Sequence, residues 1–304
     1  MKDRIAIIDI GTNTFNLLVV DKLENKFETI YKDRIGVGLG NKGINDSTIA
    51  PKAFKRGIET LNQYKNKCSE LNVRTIKAIG TSALRNANNK QAFLDTVKQQ
   101  TDIDIHVICG NQEADHIYHG VKINHEFKAP SLIMDIGGGS TEFIFADHSG
   151  IVDKASFEIG VSRIYQHLGK PKQLNEDMVA KIERHLEKHT NHFFDRNSAD
   201  VLIGSSGSFK TFYELYQNEQ YPREGYVKIQ MLDLITNLKD ITYSTKKERE
   251  DNNFIIPIRK KMINIAAVKT NWIIQKLGVK EFIVSPYSLK EGAIFYTPTA
   301  TTFK

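Results

Sequence analysis

Cysteine is almost missing: only Cys68 and Cys109 occur in 304 residues. Two residues build no disulfide scaffold, and neither has a histidine at a spacing diagnostic of zinc, so a reduced, cytoplasmic setting is expected. Long apolar runs are missing too. Nothing approaches the roughly 20 residues needed to span a bilayer. The short apolar start is interrupted by Asp9 and lacks a small-residue cleavage site, which reads as a strand and not as a signal peptide. No nucleic-acid motif is visible, aromatics are not interleaved with basic clusters, and no nucleophile motif stands out. Membrane and nucleic-acid partners are therefore not expected.

What is present is ordinary globular composition, 40% hydrophobic and 26% charged, in a chain long enough for two domains. A net charge of +6 and an isoelectric point near 9.0 favour an acidic partner, including polyphosphorylated small molecules.

The informative stretch runs from Leu132 through Asp135, three glycines, Ser140, Thr141 and Glu142 to Asp147. Its apolar run reaches Asp135, breaks at Gly137, Gly138 and Gly139, and resumes with alternating Phe143 and Phe145. This predicts a β-hairpin whose tip lets main-chain N–H groups approach an anion, since glycine carries no Cβ and tolerates φ > 0. Asp135 is placed to hold a divalent cation beside a phosphate, and Ser140 and Thr141 add hydroxyl donors. Alone, such a loop is equally a plain turn. A near-copy argues against that. Ile8-Asp-Ile-Gly-Thr-Asn-Thr14 aligns with Met134-Asp-Ile-Gly-Gly-Gly-Ser140, and Asp21 stands to Asp9 as Asp147 stands to Asp135. A single duplication at domain spacing implies two similar domains, whose hairpins clamp a phosphate chain and its metal from both sides.

Elsewhere, strand patterns at 4–21, 73–79, 103–107, 200–203 and 282–284 alternate with helix patterns at 91–99, 110–121, 159–168, 176–194, 261–277 and 289–295, and with a helix opened by Pro51. This is the α/β class with a partly parallel sheet. Residues 216–228 and 243–254 read as exposed loops. Residues 123–130 are the expected crossing, giving domains at 1–124 and 125–304, with the terminal helix free to pack back on the first domain.

Loops rich in glycine or hydroxyls follow strands at 11–14, 80–82, 137–141 and 204–208, where open α/β sheets bind ligands and backbone N–H groups favour phosphate. Glu113, near a helix start, either complements the helix dipole or faces the cleft and deprotonates a water. Arg85 is either a surface arginine or a bidentate phosphate ligand, and Lys210 is a similar candidate. His185, His189 and His192 recur at helical spacing. His189 continues the stripe of Ile182, Leu186 and Phe193, which reads as a helix face and not a metal site.

Taken in order, Asp9-Ile-Gly-Thr-Asn-Thr14, Gly80-Thr-Ser-Ala-Leu-Arg85, Gly110-Asn-Gln-Glu-Ala114, Asp135-Ile-Gly-Gly-Gly-Ser-Thr-Glu142 and Gly204-Ser-Ser-Gly-Ser208 resemble the exopolyphosphatase and guanosine pentaphosphate phosphohydrolase family. That family lies within the actin, sugar-kinase and Hsp70 superfamily. The resemblance implies two ribonuclease-H-like (actin-like ATPase) domains around a cleft, with Mg²⁺ and a water attacking a terminal phosphoryl group. It implies Glu113 as general base with Arg85, and Asp135, Glu142 and Asp9 as metal-associated carboxylates. Thr12, Asn13, Thr14, Gly137, Gly138, Gly139, Ser140, Thr141, Gly207, Ser208 and Lys210 become the phosphate clamps. Expected partners are polyphosphate or guanosine penta- or tetraphosphate, with a homodimer as the candidate assembly. The chain departs from the family where many members have Arg-Ala-Asp and this one has Arg259-Lys-Lys-Met-Ile-Asn-Ile-Ala-Ala-Val268. It resembles the short, two-domain form. The competing readings are a non-catalytic alarmone or nucleotide sensor and a metabolite kinase of the same superfamily.

Overall fold

The computed structural model describes residues 3–24, 26–222 and 225–296. The chain opens with β1 (Asp3–Ile10), β2 (Phe15–Lys22) and β3 (Phe27–Ile35). It continues through α1 (Pro51–Glu70), β4 (Thr75–Gly80), α2 (Ser82–Arg85), α3 (Lys90–Thr101), β5 (Ile105–Val107) and α4 (Gly110–Lys122). A second meander follows as β6 (Ser131–Ile136), β7 (Thr141–Asp147) and β8 (Gly150–Phe157). After it come α5 (Val161–His167), α6 (Glu176–Thr190), β9 (Val201–Gly204), α7 (Gly207–Gln217), β10 (Val227–Ile229) and α8 (Met231–Tyr243). The chain closes with α9 (Lys246–Asp251), α10 (Ile263–Leu277), β11 (Glu281–Val284) and α11 (Leu289–Phe295).

The strands make two sheets, ordered β3-β2-β1-β4-β5 and β8-β7-β6-β9-β11-β10. In each, the first strand pairs antiparallel with the second and parallel with a later one. The duplication extends to irregularities. The register slips between Val19 and Val20 against β3, and between Phe145 and Ala146 against β8, at matching places in the two meanders.

Central strands bury both faces, which is why they read as continuous apolar runs. In β1, Ala6, Ile8 and Ile10 point to an outer core under α1 and α3, while Ile5 and Ile7 point to an inner core. In the second meander, Leu132, Met134, Phe143 and Phe145 join the other outer core, and Ile133, Ile144 and Ala146 join the inner one. That inner core lies between the sheets and is shared. It is completed by Ile117 and Val121 of α4 and Leu289 and Ala293 of α11.

These two helices exchange sides: α4 packs on β7 and β8, and α11 packs on β1 and α4. They cross without side chains between them. A Cβ on Gly120 would overlap the Ser288 carbonyl, and one on Gly292 would overlap the His116 carbonyl.

Three expectations change, and one strand is added. The β8 strand escapes a hydrophobic reading because Asp153, Lys154 and Ser156 interrupt it and it lies at a sheet edge. The supposed loop at 243–254 contains α9, capped by Thr245 and Glu248 in a reciprocal box. Its Arg249 is buried and donates to the carbonyls of Lys260, Lys172 and Ser244. The loop expected at 216–228 ends in the first residues of β10, and positions 223 and 224 lie outside the described residues. His189 is exposed, its place on the buried stripe of α6 taken by Thr190.

Gly292→Ala forces backbone apart on two helices at once. It should cost about 1–3 kcal/mol, the usual range for overpacking, and lower Tm by roughly 2–10 °C. A thermal scan with unchanged Tm would mean the helices do not cross this closely.

Candidate functional site

Strand parity decides what faces the cleft. Asp9 has the parity of Ile5 and Ile7, and Asp135 that of Ile133, so both project from the inner faces toward each other. Across each hairpin they meet equivalent partners, Asp9 opposite Asn16 and Asp135 opposite Glu142. Asn16 Nδ2 donates to Asp9 Oδ2 at 2.9 Å. Ser156 Oγ donates to Glu142 Oε1 at 2.7 Å. Ser205 Oγ donates to Asp135 Oδ2 at 3.0 Å, and Ser288 Oγ donates to the same oxygen.

The fourth carboxylate, Glu113, sits in the first turn of α4, buried, with Arg85 Nη1 donating to its Oε2 at 2.9 Å. Burial and the Glu142 charge raise Glu113 well above the usual carboxylate range, outweighing Arg85. Burial, with Asp135, lifts Glu142 to about 7. Burial lifts Asp9 to about 6, and raises Asp135 against its two serine donors.

The two tips share one turn geometry. Gly11 N–H donates to the Thr14 carbonyl at 3.0 Å, and Gly137 N–H to that of Ser140 at 3.1 Å. They also touch. A Cβ on Gly138 would come within 2.7 Å of Asn13 Nδ2, and one on Gly139 within 2.7 Å of Thr12 Oγ1. None of the tip glycines has positive φ. At Gly138 and Gly139 glycine is required by close approach of the opposite hairpin, and at Gly11 and Gly137 by the carbonyl of the same turn, not by left-handed backbone. The carbonyls of Gly137, Gly138 and Gly139 accept from Val161, Ser162 and Gly160, which fixes the loop against the start of α5.

Between the tips and α7 lies a cavity of about 190 Å³, smaller than the roughly 300 Å³ at which typical ligand pockets begin. Thr12, Asn13, Thr14, Ser140, Gly207, Ser208 and Lys210 line it with the carboxylates. Thr141 does not. It has the parity of Phe143, faces the outer core, and its hydroxyl accepts from the buried Lys269 ammonium, so it is removed from the phosphate clamps. Arg85 also stays out of the lining, committed to Glu113, the Ile108 carbonyl at 3.1 Å and Glu158 at 3.3 Å.

Sequence reasoning missed three cations of the cleft: Arg34, Arg259 and Lys290. Arg34 stands in a glycine-punctuated stretch, and Arg259 opens the divergent segment; Lys290 has no local signature. Burial lowers Lys210 to about 7, with Lys290 adding to it, and lowers Arg259 to about 9, with Arg34 adding to it. Arg259 packs where a Gly207 Cβ would stand, so that glycine makes room for a guanidinium.

Residues 18–298 match the Ppx/GppA phosphatase family. The chain belongs to that family. It is similar to the exopolyphosphatase of Cytophaga hutchinsonii, with a TM-score of 0.92 at 32% identity and 96% of each chain covered. The Ppx/GppA enzyme of Aquifex aeolicus superposes with a TM-score of 0.77 at 24% identity, covering 96% of this chain and 98% of that one, a likeness of fold. The fold of the Ppx/GppA chain is thus the two-domain, actin-like one. It is also 29% identical over 218 residues to the guanosine-5'-triphosphate,3'-diphosphate pyrophosphatase of Vibrio parahaemolyticus. That match covers 69% of this chain but 43% of the relative, so the chain spans less than half of that protein's length.

Among the described residues, no three His, Cys, Asp or Glu side chains converge tightly enough to cage a metal alone. The donor set still suits a hard cation of the Mg²⁺ kind, which takes one or two carboxylates and completes its shell with water and phosphate oxygens. Asp9, Asp135 and Glu142 each have lone pairs to spare, Asp135 raises the pKa of the other two, and the buried Ser206 hydroxyl at the cleft lacks a partner among the described residues.

A carboxylate whose folded pKa lies above its unfolded value contributes stability below the unfolded pKa and loses it as pH rises. Asp9, lifted from 3.8 to about 6, therefore strains the metal-free fold above neutrality by on the order of 2–3 kcal/mol. Asp9→Asn keeps an acceptor for Asn16 and cannot ionise. It should raise Tm at pH 8 and leave it nearly unchanged at pH 4; equal destabilisation at both would overturn this account.

Proposed function

We propose that this chain is a Mg²⁺-dependent phosphohydrolase of the cytoplasm that releases terminal phosphate from inorganic polyphosphate, or converts guanosine pentaphosphate to tetraphosphate. The observation that carries this is Glu113: a buried, strongly basic carboxylate, oriented by Arg85, opening onto a cleft of phosphate-sized loops. Phosphoryl transfer asks a protein mainly for positioning and charge stabilisation. Glu113 accepts the proton of the attacking water, and its raised pKa makes it the stronger base. The amides and hydroxyls of residues 11–14, 137–140 and 207–208 hold phosphate oxygens, and Arg34, Lys210, Arg259 and Lys290 offset the remaining charge. Asp135 with Glu142 or Asp9 would hold Mg²⁺, which would supply charge neutralisation at the transferred group. Of the two substrates, the cleft favours the inorganic chain, since no aromatic side chain among its described lining residues offers a base a stacking face. The domain boundary near residue 124 belongs to the same proposal, with the crossing helices shared between the halves.

Glu113→Gln keeps size but removes the base, and should lower phosphate release by about 10²–10⁴-fold while tripolyphosphate still binds. The acid limb of the parent pH–rate profile should lie above the ordinary carboxylate range, because protonated Glu113 is inactive. Parent-like turnover in the variant would place the base elsewhere. Tight binding without turnover of polyphosphate, guanosine pentaphosphate or ATP would install the sensor reading.

Gly138→Val inserts bulk between the hairpin tips at Thr12 and Asn13. Tripolyphosphate affinity should drop at least about tenfold, the worth of one charge-assisted hydrogen bond. Unaltered affinity would remove the loop from the binding site.

A further inference from the structure

At the rim of the cleft, three donors converge on one carboxylate, and the Asn86 side chain adds a further hydrogen bond. Ser82 Oγ donates to Glu158 Oε2 at 2.8 Å, Arg163 Nη2 to the same oxygen at 2.6 Å, and Arg85 Nη2 to Oε1 at 3.3 Å. Ser82 and Arg85 come from α2, beside the first sheet. Glu158 and Arg163 come from the turn before α5 and from α5 itself, on the other side of the cleft.

The donors are set into the wall and the acceptor stands outside it: the arginine side chains are 17% and 15% exposed, that of Glu158 40%. Two guanidinium edges and a hydroxyl are the donor set a phosphoryl group takes. Each arginine is anchored apart from Glu158. Arg85 holds the buried Glu113 and the Ile108 carbonyl. Arg163 donates to the carbonyls of Gly139 at 2.9 Å and Ile44 at 2.8 Å. Removing Glu158 would thus leave an anion site already assembled. Ser82 also lines the catalytic cavity, which makes the rim continuous with it. Of the two carboxylates Arg85 holds, Glu158 is the more distant and the more exposed, so it is the one a phosphoryl group would replace.

We propose that Ser82, Arg85 and Arg163 form a phosphoryl-binding subsite at the rim of the cleft, filled in the resting protein by the Glu158 carboxylate, which a phosphoryl group displaces. The ligand class rests on the phosphohydrolase reading. Its source is either the terminal group of the bound chain or the orthophosphate just released.

Glu158→Gln removes the competing charge. Binding of tripolyphosphate or orthophosphate, measured by calorimetry, should tighten by roughly 3–10-fold, the scale of one charge-assisted contact. Glu158→Asp, shorter by one methylene, should move the same way by less, and serves if the first variant folds poorly. A lower KM for polyphosphate assigns the subsite to the substrate end; a lower inhibition constant for orthophosphate alone assigns it to the product. Unchanged or weaker binding of both anions overturns the proposal, because a strut that merely positions Arg85 would weaken binding when removed. If the parent turns over no phosphoanhydride, the phosphohydrolase reading fails, and the two calorimetric titrations still decide the subsite.

Discussion

Four carboxylates buried in one cleft impose the constraint around which this molecule is arranged. Asp9, Glu113, Asp135 and Glu142 repel one another in surroundings that solvate them poorly, and burial is the largest cause of the raised pKa in each. Such an arrangement persists only if the scaffold over-determines it. Here the scaffold does so from both sides. Each aspartate ends a central strand with apolar residues on both faces, and each is opposed across its hairpin by a fixed partner. Serines from β8, from the loop before α7 and from the cap of α11 donate to the second pair.

The helix crossing serves the same end. Were α4 and α11 each confined to its own sheet, the cleft walls would be joined by the hairpin tips and a few polar contacts at the rim. Their exchange places one apolar core between the sheets, and the two glycines at the crossing bring backbone against backbone. Glu113 rides on α4 and Lys290 on α11. The proposed base and a cleft cation are therefore positioned by the elements that couple the two sheets, and movement there would be felt at both.

Much of this was legible in the sequence because duplication left a local record. The repeat of Asp-Ile-Gly identified both hairpins, and the structure matches them down to a turn hydrogen bond and a register slip. What local pattern missed was parity and distance. Thr141 lies next to cleft residues in sequence but on the opposite face of β7, where Lys269, 128 residues away, takes its hydroxyl. Positive φ was expected of the glycine tips, yet the demand for glycine comes from the other hairpin, which no neighbouring residue announces. Arg34, Arg259 and Lys290 reach the cleft from three separated segments, so no spacing rule connects them. The α9 helix was different: the Thr245–Glu248 cap is a sequence signature that high local charge obscured.

Cations and carboxylates share the cleft, and this bears on how a phosphate chain binds. Carboxylates gather around the inner faces of β1, β6 and β7; Arg34 depresses the pKa of both Lys210 and Arg259, and Lys290 acts on Lys210 and also on Asp9 and Asp135. A chain of phosphates entering such a field is repelled by the carboxylates and held by the cations, unless a divalent cation reverses the sign at the carboxylate end. On the proposed reading, this makes the metal a condition of register as well as of charge. A metal held by Asp135 with Glu142 or Asp9 would supply charge that lets a terminal phosphoryl group approach Glu113, while Lys210, Arg259 and Arg34 offset the charge of the rest of the chain.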